Sequence, residues 1–268
     1  MLDLSTRSFA IHSSAAPVQG PYTPVNRLTD ASLYTDSSER VVMKVVDRHT
    51  EREQAFQLAH KVYCRAGLTE DNRVGKRVMR HHLLDTTDVL IAKLNGQVNF
   101  TVTLVGDGDF GLPMESLFAD EVDSMRSQGV SMAEVSCLAS SIDPDQKRLR
   151  FETLVSMISL LIQTARMRGI DRLMLAVHPK HAKVYERLFG CVRCSEVREY
   201  AAVRGNPAVL CIHDFADLDK KRYPLFDQIY GPVYAPWQLD GAPMSEAEKF
   251  YFEGFLPAGE YEVVPMAA

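Results

Sequence analysis

Long apolar runs are missing from this 268-residue sequence: nothing approaches the ~20 consecutive apolar residues of a membrane helix, which argues against an integral membrane segment. The amino terminus has one early arginine and no continuous apolar stretch, so it does not read as a secretory signal. Basic excess is missing too. Thirty Lys and Arg face 35 Asp and Glu, a net charge of −5, which argues against general attraction to nucleic acid or to an acidic membrane. Cysteines number five, at 64, 137, 191, 194 and 211; an odd set, mostly within apolar stretches, reads as reduced thiols and a cytoplasmic chain. Cys191 and Cys194 have CxxC spacing but no second pair to complete a zinc site, and their flanks read as a strand. The adjacent His81 and His82 have no acid or cysteine at ligand spacing, so they read as part of a solvated basic face. The acids of the turn-rich loop 106–113 lack the spacing and closing glutamate of a calcium loop. No Gly-x-Ser-x-Gly nucleophile elbow is present.

What is present suffices for one core with appendages: 46% of residues are hydrophobic and 24% charged. Residues 1–39, rich in Ser, Thr, Pro and Ala without apolar periodicity, read as a flexible tail. A strand follows at 41–46. Thr50 and Glu53 form a potential capping box for a helix that runs to about Ala66 and stops at Gly67. The polar stretch 68–86 reads as a short helix or lid. Asn95-Gly96 between two β-rich runs predicts a hairpin over 88–105. An amphipathic helix is expected at 114–126, a strand at 131–142, and an apolar helix at 150–168 that must be buried. Strand 171–177, helix 180–189 and an antiparallel pair at 191–200 and 207–215 complete a core domain of residues 40–215. Residues 216–268 read as a helical extension covering it. The fold class is α/β: a mixed sheet with helices on both faces.

The organising stretch is 131–190. Its strand 131–142 carries one acid, Glu134, among small and apolar residues, where an acid is out of place unless paired or used. Its second strand ends in His178-Pro-Lys-His181, and Tyr185 follows one helical turn later.

The order of elements, together with Gly111-Leu-Pro-Met-Glu-Ser-Leu-Phe118, Ala133-Glu-Val-Ser-Cys-Leu-Ala139, His178-Pro-Lys-His181, Val184-Tyr185, Leu188-Phe-Gly190 and Pro207-Ala-Val-Leu210, resembles the GNAT acyltransferase superfamily. Within it the chain is most similar to bacterial long-chain N-acyl amino acid synthases, relatives in fold of the acyl-homoserine-lactone synthases. The resemblance spans about residues 40–215. It implies a mostly antiparallel sheet with a splayed parallel strand pair. It also implies transfer of a fatty acyl group from a phosphopantetheine thioester to the amino group of an amino acid. Two departures stand out. The usual Arg/Gln-x-x-Gly-x-Gly/Ala pyrophosphate loop is replaced by residues 142–150, and the family's Ser-Arg-Leu is here Ser136-Cys137-Leu138.

Such chemistry needs an amine deprotonated, an oxyanion stabilised and a thiolate released, without a protein nucleophile. Glu134 is the candidate base. Strand alternation places it with Met132, Ser136 and Leu138 on one face, so that Glu134 and Ser136 line a cleft wall; the competing reading is a structural ion pair. Tyr185 is the candidate acid for the thiolate, against a tyrosine packed in the core. His178 and His181 are candidates to orient the acceptor carboxylate or the pantetheine arm, with helix capping the rival role, favoured for His181. Lys147, Arg148 and Arg150 gather at the amino end of the buried helix, where anions bind readily. Without a glycine loop, that joint fits one phosphate and an acidic acyl carrier protein better than a nucleotide pyrophosphate. Phe100, Val102 and Leu104 alternate on a strand as core or as tunnel lining. No resident cofactor or metal is expected. The alternatives are a coenzyme A-dependent acetyltransferase of this fold, a lactone synthase lacking a readable adenosylmethionine set, or a non-catalytic acyl-carrier or lipid-binding module.

Overall fold

The computed structural model describes residues 33–34 and 40–257; the expected tail lies outside the described residues apart from a two-residue strand, β1 (Leu33–Tyr34). β2 (Arg40–Val45) leads into α1 (His49–Arg65). The Thr50–Glu53 capping box does not form. Arg48 is the N-cap residue with no side-chain cap, and Glu53 is instead engaged by Lys76 and the Tyr251 hydroxyl. The stop is at the expected place: Gly67 takes φ +69° and the Leu68 N–H donates to the Tyr63 carbonyl.

The stretch 68–79 is irregular and ends in a short 3₁₀ turn, Arg80–Leu83. β3 (Thr87–Leu94) and β4 (Gln97–Gly106) form the hairpin, with Asn95 and Gly96 both at positive φ as a tight primed turn requires. α2 (Glu115–Ser127) precedes β5 (Met132–Ser140), the long α3 (Lys147–Met167), β6 (Arg172–Val177) and α4 (Pro179–Phe189).

The expected strand 191–200 is broken into β7 (Val192–Arg193) and β8 (Arg198–Tyr200), each antiparallel to β9 (Asn206–Asp214). The break has a local cause: the Ser195 hydroxyl accepts the Leu210 N–H that a continuous strand would have paired. Four short helices follow, α5 (Phe215–Leu218), α6 (Phe226–Tyr230), α7 (Pro236–Leu239) and α8 (Glu246–Glu253), the last opened by a Ser245–Glu248 capping box.

The strands form one sheet in the order β1-β2-β3-β4-β5-β6-β9-β7, with β8 also on β9. Every pairing is antiparallel except β5 with β6. On one face Leu90, Phe100, Val102 and Leu104 pack against Leu154, Met157, Leu160 and Leu161 of α3. Phe100, Val102 and Leu104 are therefore core and line no tunnel. On the other face Val89, Ile91 and Val98 meet Phe56, Ala59 and Val62 of α1 and Phe252 of α8, while Met132 and Met174 meet Phe118 and Val122 of α2. Mixed sheet, helices on both faces and the splayed parallel pair are all present, as the resemblance implies.

The splay positions the site. Parallel pairing lasts three residues and ends at Glu134 opposite Met174, although β5 runs on to Ser140 and β6 to Val177. Two residues later β5 bulges: Thr103 pairs with Ser136 but Thr101 with Ala139, so Cys137 and Leu138 together oppose Val102. Cys137 takes φ +50°, the left-handed conformation that lets a strand gain a residue and twist away. The bulge also shifts parity. Met132, Glu134 and Ser136 share a face as expected, but Leu138 turns to the α3 side, correcting the expectation that it lies beside Glu134.

Candidate active site

Where β5 and β6 part, a cleft of about 980 Å³ opens at their carboxyl ends. That volume lies at the upper end of small-molecule sites, which run to roughly 1,000 Å³. Its walls are residues 134–138 of β5, 175–177 of β6, the first turns of α4, the irregular stretch 68–81, the β8–β9 connection and residues 254–257.

Glu134 sits at the apex of the splay, 3% exposed. Its Oε2 accepts the Met114 N–H at 2.7 Å. Among the described residues no cation pairs with it, which removes the structural ion-pair reading. Burial pushes its carboxyl from 4.5 up to about 8, against the opposing pull of the Met114 N–H and the Ser136 hydroxyl. The Met114 donor is held by a tethered loop. Glu115 accepts the Leu112 N–H at 2.6 Å, and Arg126 ties Asp107, Glu115 and Asp123 together at 2.5–2.9 Å. Asp107 of the 106–113 loop, with Glu115 and Asp123 of α2, thus serves a guanidinium.

Ser136 lies next to Glu134 on the same wall. Tyr185 reaches the cleft from α4 while its ring packs against the α3-side core, and burial raises its phenol well above the ordinary 10. That makes it a better hydrogen-bond donor than proton source. His178 and His181 both line the cleft. The capping role, expected rather for His181, falls to His178, whose Nδ1 accepts the Lys180 N–H at 3.1 Å ahead of Pro179.

Lys147, Arg148 and Arg150 are not part of the cleft wall. They stand at the first turn of α3, where Arg148 pairs with Glu152 at 2.7 Å and Gln146 supplies no side-chain cap. The structure therefore divides the expected site: Glu134, Ser136, Tyr185, His178 and His181 come together, and the three basic residues remain outside.

His81 and His82 are not solvated. His82 is 2% exposed, accepts the Met79 N–H at 3.0 Å and lies 4.5 Å, centroid to centroid, from Phe56; burial lowers its pKa to about 3 and that of His81 to about 4. His82 fastens the 68–83 stretch to α1, and His81 packs edge-on against Phe110 of the loop before α2. The same stretch delivers Arg77 into the cleft beside Tyr63, Cys137 and Tyr200, residues that pattern reading passed over. Val78, which is buried, and half-buried Met79 carried the apolar signal that this stretch had an inside; Val74, at the same partial helical spacing, is exposed.

All five cysteines are free. Cys191 is buried and Cys194 exposed, its thiol directed at the Val192 carbonyl. His60, Cys64 and Asp71 form a group with ligand atoms within 4.8 Å of one another; a 2.9 Å bond between His60 and Asp71 accounts for their approach.

The mostly antiparallel sheet with its splayed parallel pair is a GNAT-like fold. Residues 54–214 match the family described as N-acyl amino acid synthase FeeM, and the chain belongs to that family. Among solved structures it is similar to FeeM, an N-acyl amino acid synthase from uncultured soil microbes, with TM-score 0.57 and 21% identity over 71% of this chain and 98% of that one. The AHL synthase LasI is similar with TM-score 0.51 and 13% identity over 74% and 97%. No curated protein matches the sequence significantly. Among the described residues no helix is long and apolar enough to cross a membrane.

Proposed function

We propose that this acyltransferase moves a long-chain fatty acyl group from the phosphopantetheine thioester of an acyl carrier protein to the amino group of an amino acid. The observation that carries the reading is Glu134: a buried carboxyl without a counter-ion, at the apex of a cleft large enough for an acyl thioester and a small acceptor together.

The acceptor arrives as an ammonium. A proton passes from it to ionised Glu134, the free amine attacks the thioester carbonyl, and negative charge develops on the carbonyl oxygen. Cys137 and Leu138, bulged and without a register partner on β4, are the backbone segment we assign to that oxygen. Collapse of the intermediate forms the amide and breaks the C–S bond. The thiolate leaves towards Tyr185 as hydrogen-bond donor and takes the proton that the nitrogen sheds as it becomes an amide, while protonated Glu134 passes the first ammonium proton to water, which restores the base. Leu175, Val177 and Tyr185 give one wall an apolar lining suited to an acyl tail.

A carrier protein is favoured over free coenzyme A because residues 142–150 hold no glycine loop to wrap a pyrophosphate. The exposed Lys147 and Arg148 at the start of α3 offer charge to an acidic protein surface instead. Two assays test the reading together. Mass spectrometry of lipid extracts from cells overexpressing the chain should reveal new N-acyl amino acids. Purified protein should turn over acyl-carrier thioester faster than the matching acyl-coenzyme A at low salt; no acylated amine in either assay refutes the reading, and equal donor rates refute the carrier.

A further inference from the structure

Arg77 is a cation without a counter-ion. Its Nε is buried and has no hydrogen-bond partner, and among the described residues no carboxylate pairs with its guanidinium. Its plane is steadied by the Tyr63 ring, whose centroid lies 4.6 Å from Cζ. Its polar neighbours are the Cys137 thiol and the Tyr63 and Tyr200 phenols, and burial raises both phenols above their ordinary range and so keeps them neutral. The bases beside it in sequence are occupied elsewhere: Lys76 pairs with Glu53 at 3.0 Å, and Arg80 covers the Phe110 ring. Keeping a guanidinium largely out of water without an anion is costly, and a protein tolerates it where a ligand brings the anion.

The position says which ligand. Tyr63 and Tyr200 each lie in the electrostatic field of both Arg77 and Glu134, so acid and base flank one cluster at the floor of the cleft. They form no salt bridge with each other. One unpaired carboxyl and one unpaired guanidinium, facing a common space, complement a zwitterion. We infer that Arg77 binds the carboxylate of the acceptor amino acid and so directs its amino group to Glu134. This rests on the N-acyltransferase reading above and adds what that reading lacks, a reason for choosing amino acids over simple amines. Guanidinium geometry suits the task, since its N–H pairs match the two oxygens of a carboxylate.

The test compares three acceptors of one carbon skeleton with a fixed acyl donor: the amino acid that turns over fastest, its methyl ester and its decarboxylated amine. Wild-type protein should favour the amino acid over both by on the order of 10–100-fold in kcat/KM, the worth of hydrogen bonds to a charged group. Arg77→Gln should bring the three within about threefold of one another, and Arg77→Lys should keep part of the preference. Similar wild-type values for acid and ester overturn the inference. So does an Arg77→Gln variant slowed equally on all three, which would assign the guanidinium to the donor's phosphate. Calorimetric titration with the amino acid and with its ester needs no turnover and no variant. Equal affinity overturns Arg77's role even if no acceptor is acylated, an outcome that by itself refutes the enzymatic reading. Tighter binding of the acid supports the role, and it does so even if Arg77→Gln fails to fold.

Discussion

Two glutamates in this protein are buried to nearly the same degree, Glu51 at 4% and Glu134 at 3% exposure, and their surroundings are opposite. Glu51 on α1 receives two ammonium groups, Lys44 from β2 and Lys93 from β3, each at 3.0 Å. Glu134 on β5 receives one backbone N–H and a hydroxyl, and no cation. The first is a finished ion cluster fastening a helix to a sheet. The second is an incomplete one, and in the proposed reaction its missing positive charge would arrive as the acceptor's ammonium. Burial alone does not separate a structural acid from a working one; the presence or absence of a counter-ion does.

The comparison breaks most readily at Glu134 itself. Glu134→Gln should lower kcat by about 10²–10⁴-fold, the usual worth of a general base, with donor binding retained. Measured against free amine at rising pH, part of the deficit should return. The mirror experiment is Glu51→Gln. It strands Lys93 and should cost about 3 kcal/mol of stability, read as a lower denaturation midpoint, while activity per folded molecule stays unchanged. If Glu51→Gln abolishes activity in folded protein, the division between structural and working acid is wrong.

The linkage between pH and stability sharpens the same contrast. A carboxyl whose folded pKa is raised from 4.5 to about 8 holds more proton in the folded than in the unfolded state between those values. Wild type should therefore lose stability as pH rises through that window. Glu134→Gln, with no such proton, should gain in Tm relative to wild type from pH 5 to pH 9; a pH-independent difference contradicts the raised pKa. Tyr185→Phe should slow turnover roughly 3–10-fold, the range of a neutral hydrogen bond, because a phenol raised above 10 by burial stabilises a thiolate without protonating it. The smallest effect belongs to the α3 joint. Replacing Lys147, Arg148 and Arg150 by Ala should raise the KM for acyl carrier a few-fold at low salt, and the difference should vanish at high salt.

How far these features were legible in the sequence follows from the range of the signals. The hairpin at Asn95-Gly96, the stop at Gly67 and the buried helix after β5 are local patterns, and they fell where expected. Glu134 was visible because one acid interrupts an apolar strand. The bulge at Cys137 was not: a left-handed residue without glycine or asparagine leaves no compositional trace, and strand alternation then misplaced Leu138. The 68–83 stretch misled for a related reason. His81, His82 and Arg77 make a basic sequence, but long-range partners decide which side they take: Phe56 and Thr103 for His82, Tyr63 for Arg77. Thr50 and Glu53 had the spacing of a capping box, yet Lys76 and Tyr251, distant in sequence, claimed the glutamate. Local rules read the scaffold well and the cleft poorly, because the cleft is assembled from parts of the chain far apart in sequence.

The most direct test of the central claim is the titration of the Glu134 side chain itself. Carbon-13 NMR of protein labelled at glutamate side-chain carboxyls, assigned by the resonance missing from Glu134→Gln, reads its protonation without reference to activity. A Glu134 carboxyl that titrates near pH 8 is the predicted result. A Glu134 carboxyl ionised from about pH 4.5 upward would mean that a counter-ion or solvent reaches it in the resting protein, and would contradict the account.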